Sequence, residues 1–98
     1  MAKGYLIAEI DVQDAGRYAK YTAQTPAAVA KHGGKFVVRG GVWDAVEGRP
    51  PQGRVVVIEF PSLDAARTFY QSDDYQPLIP IRQSASTGRV FLVEGADT

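Results

Sequence analysis

The sequence predicts an α+β sandwich in which a four-stranded antiparallel-type sheet carries helices on one face. Three observations lead there. Four β-patterned runs and two amphipathic helical runs follow one another in the order β-α-β-β-α-β. The third β run, Val55-Val56-Val57-Ile58-Glu59-Phe60, is apolar at both parities, as a central strand is. The chain has 98 residues, enough for one domain only, because single cores divide when they outgrow roughly 250 residues.

Tyr5 to Val12 is rich in branched and apolar residues and ends in Asp11, Gln13 and Asp14, a strand followed by a helix-start signal. From Asp14, Ala15, Tyr18, Ala19, Thr22, Val29 and Ala30 fall on one helical stripe, with Arg17, Lys20, Gln24 and Lys31 opposite. Pro26 removes a donor from this helix and predicts a kink or break near Thr25. His32-Gly33-Gly34 ends it. The second strand starts at Lys35 to Val38 and continues through Val42-Trp43 to Val46, with Gly40-Gly41 fitting a bulge. A polar loop, Glu47 to Gly53, leads into strand three. Pro61-Ser62 stops that strand, Ser62 or Asp64 can cap, and Leu63, Ala66, Phe69 and Tyr70 share a helical face. Ser72-Asp73-Asp74 interrupts the helix. Pro77 to Ala85 is a further helical segment with Leu78, Ile81 and Ala85 inward and Pro80 near its first turn. Gly88 ends it, and Arg89 to Glu94 is the fourth strand.

This order is the split-βαβ, ferredoxin-like arrangement, a single domain over 1–98 with its core at 4–95. Right-handed crossovers place strands one and three in the middle of the sheet. Helices cover only one face, yet strand three has Val55 and Val57 on one side and Val56, Ile58 and Phe60 on the other, and strand one sets Tyr5 and Ile7 against Leu6, Ala8 and Ile10. An uncovered apolar face marks association. A domain this short also buries only about 60 to 65 per cent of its unfolded surface. Face-to-face pairing with a second copy, a homodimer closed as a dimeric α/β barrel, is the simplest cover.

Eleven basic and eleven acidic residues cancel, leaving no field to gather nucleic acid or an anionic membrane. With no cysteine, disulfides, thiolate nucleophiles and cysteine-based metal sites are excluded. Met1-Ala2-Lys3-Gly4 runs straight into strand-like alternation rather than a signal peptide. No apolar run approaches the roughly 20 residues a membrane span needs. A cytoplasmic protein is the expectation. Neither GxGxxG nor GxxxxGK[ST] occurs, and strand three lacks the paired stacking aromatics of an RNA-recognition module.

Gly33-Gly34-Lys35, Arg39-Gly40-Gly41, Glu59-Phe60-Pro61-Ser62, Tyr70-Gln71-Ser72, Tyr75, Arg82 and Val93-Glu94-Gly95 occur in that order. Over Tyr5 to Gly95 the chain resembles the family called domain of unknown function 1330. The resemblance implies a dimeric α/β barrel, within a superfamily that includes small cofactor-poor monooxygenases and isomerases. It supplies no reaction. Phe69 stands where relatives often carry tryptophan, which keeps the aromatic character.

Several side chains could carry chemistry. Arg39, beside Gly40 and Gly41, could meet a ligand carboxylate with a bidentate guanidinium, or pair with a local acid. Glu59, at the end of a central strand, could act as a general base, though an ion pair with Arg39 across the hairpin is the better account of a carboxylate among apolar neighbours. His32, the only histidine, offers acid–base work or a favourable place at the helix's negative end, and excludes a multi-histidine metal site. Tyr70, Ser72, Tyr75 and Arg82 surround the break between the helical segments and could line a cleft mouth, or serve as core and caps. Tyr18 and Tyr21 share that ambiguity. The expectation is a small organic, anionic molecule bound between sheet and helices: Arg39, Gly40, Gly41, Ser72, Tyr75 and Arg82 hold it, and His32, Glu59 or Tyr70 handles a proton. No tightly held cofactor and no metal are implied. The other reading is a non-catalytic dimeric binding or accessory protein.

Overall fold

The computed structural model describes residues 2–97; Met1 and Thr98, the outermost residues of the domain expected over 1–98, lie outside it. Its strands and helices are β1 (Gly4–Val12), α1 (Ala15–Lys31), β2 (Lys35–Arg39), β3 (Arg54–Phe60), α2 (Leu63–Gln71), α3 (Ile79–Ala85) and β4 (Ser86–Glu94), with a short 3₁₀ turn at Gln76–Leu78 before α3. The sheet order is β2-β3-β1-β4 and every pairing is antiparallel. The expected central strands, one and three, are β1 and β3.

Register sorts the side chains. Leu6 lies opposite both Ile58 and Leu92, and Ala8 opposite both Val56 and Val90. Because paired residues share a face, the row of Leu6, Ala8, Ile10, Val56, Ile58 and Phe60 points at the helices, where all six are buried. Tyr5, Ile7, Val55, Val57, Glu59, Phe91 and Val93 point the other way. Phe91 and Val93 there are each 42% exposed. The Cα trace measures 38 × 37 × 16 Å, a two-layer slab with one bare face.

Asp14 caps α1 by accepting from the Arg17 amide at 3.0 Å. Contrary to the expected break, α1 runs through Pro26. A proline inside a helix costs about 3 kcal/mol, but Thr25, Ala28 and Val29 around it are all buried. Breaking the helix would expose Val29, whose burial alone is worth roughly 1.5–3 kcal/mol, along with its neighbours. The buried stripe is accordingly Tyr18, Thr25, Ala28 and Val29, while Ala15, Ala19 and Ala30 are exposed. The helix ends as expected: Gly33 donates to the Ala30 carbonyl and Gly34 to that of Val29.

Strand two is shorter than expected. Gly40 makes the last ladder bond, to the Val55 carbonyl at 2.8 Å, and its φ of +71° then turns the chain off the sheet. Val42 to Val46 is therefore loop, with Val42 fully exposed. The bulge falls instead between Phe36 and Val38. At the other end, α3 stops at Ala85 and β4 begins at Ser86. Gly88 lies inside β4 opposite Ile10, where a Cβ would run into the Glu9 carbonyl; it permits close strand approach and does not end a helix. Ser62, not Asp64, caps α2 by accepting from the Ala65 amide.

Candidate functional site

α1 and α3 lie side by side over the sheet, and the space between them and the strands opens to solvent through a mouth. Its floor is Leu6, Ala8, Ile10, Val56, Ile58 and Val90, with Phe36 at the β2 edge. Its polar groups are Tyr18, Tyr21, Thr22 and Thr25 from α1, Tyr75 from the turn before α3, Arg39 from β2, Arg54 from β3 and Arg82 from α3. The cavity is small, about 30 Å³, room for one or two waters.

Each arginine is placed by a local cause. The β2 bulge shifts parity so that Val38 pairs with Val57 on the bare face and Arg39 pairs with Val56 on the helix face. There the Arg39 guanidinium lies 4.3 Å over the Phe36 ring. Arg54 shares parity with Val56 and Ile58 and sits 5.6 Å from the Tyr18 ring centroid. A Cβ on Gly40 would come within 2.9 Å of Arg54 Nη2, so glycine there leaves the guanidinium its berth. Arg82 is only 7% exposed.

The electrostatics are one-sided. No Asp, Glu or His lines the void, and among the described residues no carboxylate pairs with Arg39, Arg54 or Arg82. Arg54 Nε and Arg82 Nε are buried without a hydrogen-bond partner. Burial pushes the Tyr18 phenol upward, against the pull of all three guanidiniums. Burial also pushes Tyr21 far above the usual phenol range, aided by Tyr75, and raises Tyr75. All three are neutral donors at physiological pH. The Tyr21 and Tyr75 hydroxyls lie 2.7 Å apart; one phenol has one proton, so whichever donates to the other leaves a second proton free for a guest. This arrangement can bind an anion, and no carboxylate or imidazole is among its lining residues.

Of the residues expected to form a site, Arg39, Tyr75 and Arg82 meet in this void. Tyr70 lies in an adjoining groove on the far side of Arg82, with Gln83 and Ser86. Gly40 backs Arg54, and Gly41 stands in the exposed loop. Ser72 is a cap, donating to the Phe69 carbonyl and accepting from the Tyr75 amide. Glu59 corrects an expectation: it is on the bare face, 3.6 Å from Lys35 Nζ and accepting from Tyr5 Oη, so it cannot pair with Arg39 through the sheet. Sequence reasoning passed over Arg54 and Thr25. Arg54 had a readable signal, the even numbering it shares with the buried row.

His32 is outside the void. Its Nε2 lies 3.0 Å from Asp74 Oδ2, and Lys31 Nζ reaches Asp74 Oδ1 at 3.2 Å. The bond from His32, then that from Lys31, holds the Asp74 carboxyl below its ordinary 3.8. A depressed folded-state value means the stabilisation is complete above the unfolded pKa and drains away as pH falls through the folded one. Asp74→Asn is therefore expected to lower the urea midpoint at pH 6, and the gap from the wild type is expected to narrow steadily as the pH is lowered into the acid range, read from midpoints along that series.

Among the described residues no group of three or more His, Asp or Glu side chains is placed to hold a metal, and no helix is long and apolar enough to cross a membrane.

A ferredoxin-like α+β sandwich with a cation-lined cleft between sheet and helices is thus the class to which the chain conforms. The chain belongs to the family described as domain of unknown function (DUF1330), whose profile matches residues 3–96. Among solved structures, the RPA0582 protein of unknown function from Rhodopseudomonas palustris superposes with a TM-score of 0.78 at 18% identity, covering 99% of this chain and 85% of that one. Methylated RPA0582 superposes at 0.77 and 18% identity, covering 98% and 82%. SnoaB, a cofactor-independent oxygenase from Streptomyces nogalater, superposes at 0.71 and 17% identity, covering 100% and 97%. At these identities the likeness is one of fold. No curated protein matches the sequence.

Proposed function

We propose that this protein binds a small organic anion between its sheet and helices and works as a homodimer closed over the bare sheet face. The observation that carries the binding reading is the gathering of Arg39, Arg54 and Arg82 in one apolar void without a carboxylate. A cation buried without a counter-charge, as Arg82 is at 7% exposure, is costly unless a guest neutralises it. Charge-assisted hydrogen bonds contribute about 1.5–3 kcal/mol each, so Arg54→Met is expected to weaken anion binding roughly 10- to 100-fold. Calorimetry with matched pairs, benzoate against benzamide for instance, checks this. Equal affinity for the neutral partner, or undiminished binding to Arg54→Met, would overturn it.

SnoaB's description as a cofactor-independent oxygenase supports an enzymatic reading by fold analogy only. The absence of Asp, Glu and His from the void lining favours the other reading, a binding protein that does no chemistry. Turnover by the protein of any anion it binds, sensitive to Arg82→Met, decides between them.

The dimer rests on the bare face. Ile7, Val57, Val38, Phe91 and Val93 make an apolar stripe, and ion pairs Lys35–Glu59 and Arg89–Glu9 flank it. With both signs at the flanks and no net charge, a second copy meets the stripe without repulsion. Sedimentation at micromolar concentration is expected to give twice the chain mass, and Val57→Asp single copies; a monomeric, folded wild type rejects the pairing.

A further inference from the structure

We infer that the groove on the far side of Arg82 is a binding site of its own, for a small hydroxylated carboxylic acid such as a hydroxy acid or an oxidised sugar. It shares Arg82 with the anion-binding reading above and uses neither Arg39 nor Arg54.

The two spaces differ in size and in wall. The void holds about 30 Å³, whereas the groove offers about 350 Å³ and opens to solvent, within the roughly 300–1,000 Å³ usual for small-molecule pockets. α2 supplies Tyr70, α3 supplies Arg82 and Gln83, and the start of β4 supplies Ser86 and Thr87. Ile10 and Val90 belong to the floor. Gly88, opposite Ile10 in the sheet, brings no side chain to fill the space above it. Among the described residues no carboxylate lines the groove, and Arg82 is its one charged group. That side chain is 7% exposed, and its Nε is buried without a partner. A charge so placed is costly until an anion meets it, and a carboxylate matches the guanidinium fork with two oxygens.

The rest of the wall selects the body of the guest. Tyr70 Oη and the Gln83 side-chain amide make no hydrogen bond among the described residues. Thr87 Oγ1 accepts from Gln13 Nε2 at 3.0 Å, which leaves its own proton to donate. Ser86 Oγ donates to the Arg82 carbonyl at 2.7 Å, which leaves its lone pairs to accept. Phenol, amide and hydroxyl thus present donors and acceptors side by side. A guest hydroxyl is donor and acceptor at once, so a chain of hydroxyls finds a counterpart at each of these groups. An apolar acid would cover them without bonding them, and a site built from hydrogen-bonding groups discriminates against a guest that lacks the matching hydroxyl. The wall therefore favours a polyhydroxylated carbon chain, and the buried cation favours a carboxylate at its end.

The experiment is calorimetric titration of the full-length protein with three probes: D-gluconate, D-glucitol, which keeps the hydroxyls without the carboxylate, and hexanoate, which keeps the carboxylate without the hydroxyls. Gluconate is expected to bind at least about tenfold more tightly than either of the others, and Arg82→Met to weaken it by about tenfold or more. Tyr70→Phe and Gln83→Ala are each expected to weaken gluconate roughly three- to tenfold and to leave hexanoate unchanged. Arg54→Met is expected to change gluconate binding less than about threefold, since that arginine does not line the groove. Gluconate bound no more tightly than hexanoate, or bound equally well by both wall variants, overturns the inference. Benzoate bound through Arg54 with no binding of gluconate sinks the groove and leaves the void reading standing. Gluconate bound through Arg82, Tyr70 and Gln83, with benzoate indifferent to Arg54→Met, does the reverse. Circular dichroism of each variant, matching the wild type, ensures that lost binding is not lost structure. Should Arg82→Met not fold, Tyr70→Phe and Gln83→Ala, at half-buried and exposed positions, decide the matter.

Discussion

Phe69→Ala is expected to lower the stability of the domain by about 3–5 kcal/mol, the usual cost of emptying a buried aromatic site. Phe69 is wholly inaccessible to solvent, and its ring lies 5.0 Å from that of Phe60, 4.6 Å from Tyr75 and 5.8 Å from His32. It thereby joins β3, the turn that carries Tyr75, and the end of α1. Ala66, one turn earlier on α2, is equally buried and too short to fill the gap. Small domains have roughly 5–15 kcal/mol in total, which makes this loss a large share of the whole. Urea denaturation followed by circular dichroism is the measurement, with Phe69→Leu as the control that keeps most of the volume and loses less. Because Tyr75 stacks on the same ring, the alanine variant is also expected to weaken ligand binding; an unchanged denaturation midpoint would mean that the aromatic cluster is not a keystone of the core.

The alternation of β1 and β3 was legible because strand parity is a strict period of two, and both rows could be read directly from Tyr5 to Phe60. The same parity places Glu59 with Val55 and Val57 on the bare face; weighing its partner before its parity led to the mistaken pairing with Arg39. Arg39 was singled out, but the face it lies on was illegible, since the bulge between Phe36 and Val38 reverses the count and nothing in Phe36-Val37-Val38 announces it. Arg82 lies four residues after Leu78 and three before Ala85, on one helical stripe, and all three are buried. A charged residue on an apolar stripe reads most naturally as a boundary of the buried face. Here it is inside, because the void gives its guanidinium somewhere to go. The uninterrupted helix at Pro26 and the early end of β2 at Gly40 were decided by tertiary packing and by one backbone angle, neither of which leaves a pattern in the residues nearby.

Arg82→Met is expected to move stability and binding in opposite directions. The side chain is 93% buried, read from its 7% exposure, its Nε has no partner, and no carboxylate of the described residues faces it. Leaving a buried donor unsatisfied costs about 1–3 kcal/mol, more where the group is charged. Methionine keeps the unbranched stem and fills the same space without that cost. The variant is thus expected to gain on the order of 1 kcal/mol or more, and each kcal/mol raises Tm by roughly 4–8 °C in a domain of this size. Anion binding is expected to fall at the same time, as happens where a protein holds a destabilising group for the sake of a guest. Differential scanning calorimetry and ligand titration of the one variant supply both readings. A lower Tm with binding intact would make Arg82 a packing residue whose charge serves the core, and the void would lose the group on which its anion preference most depends.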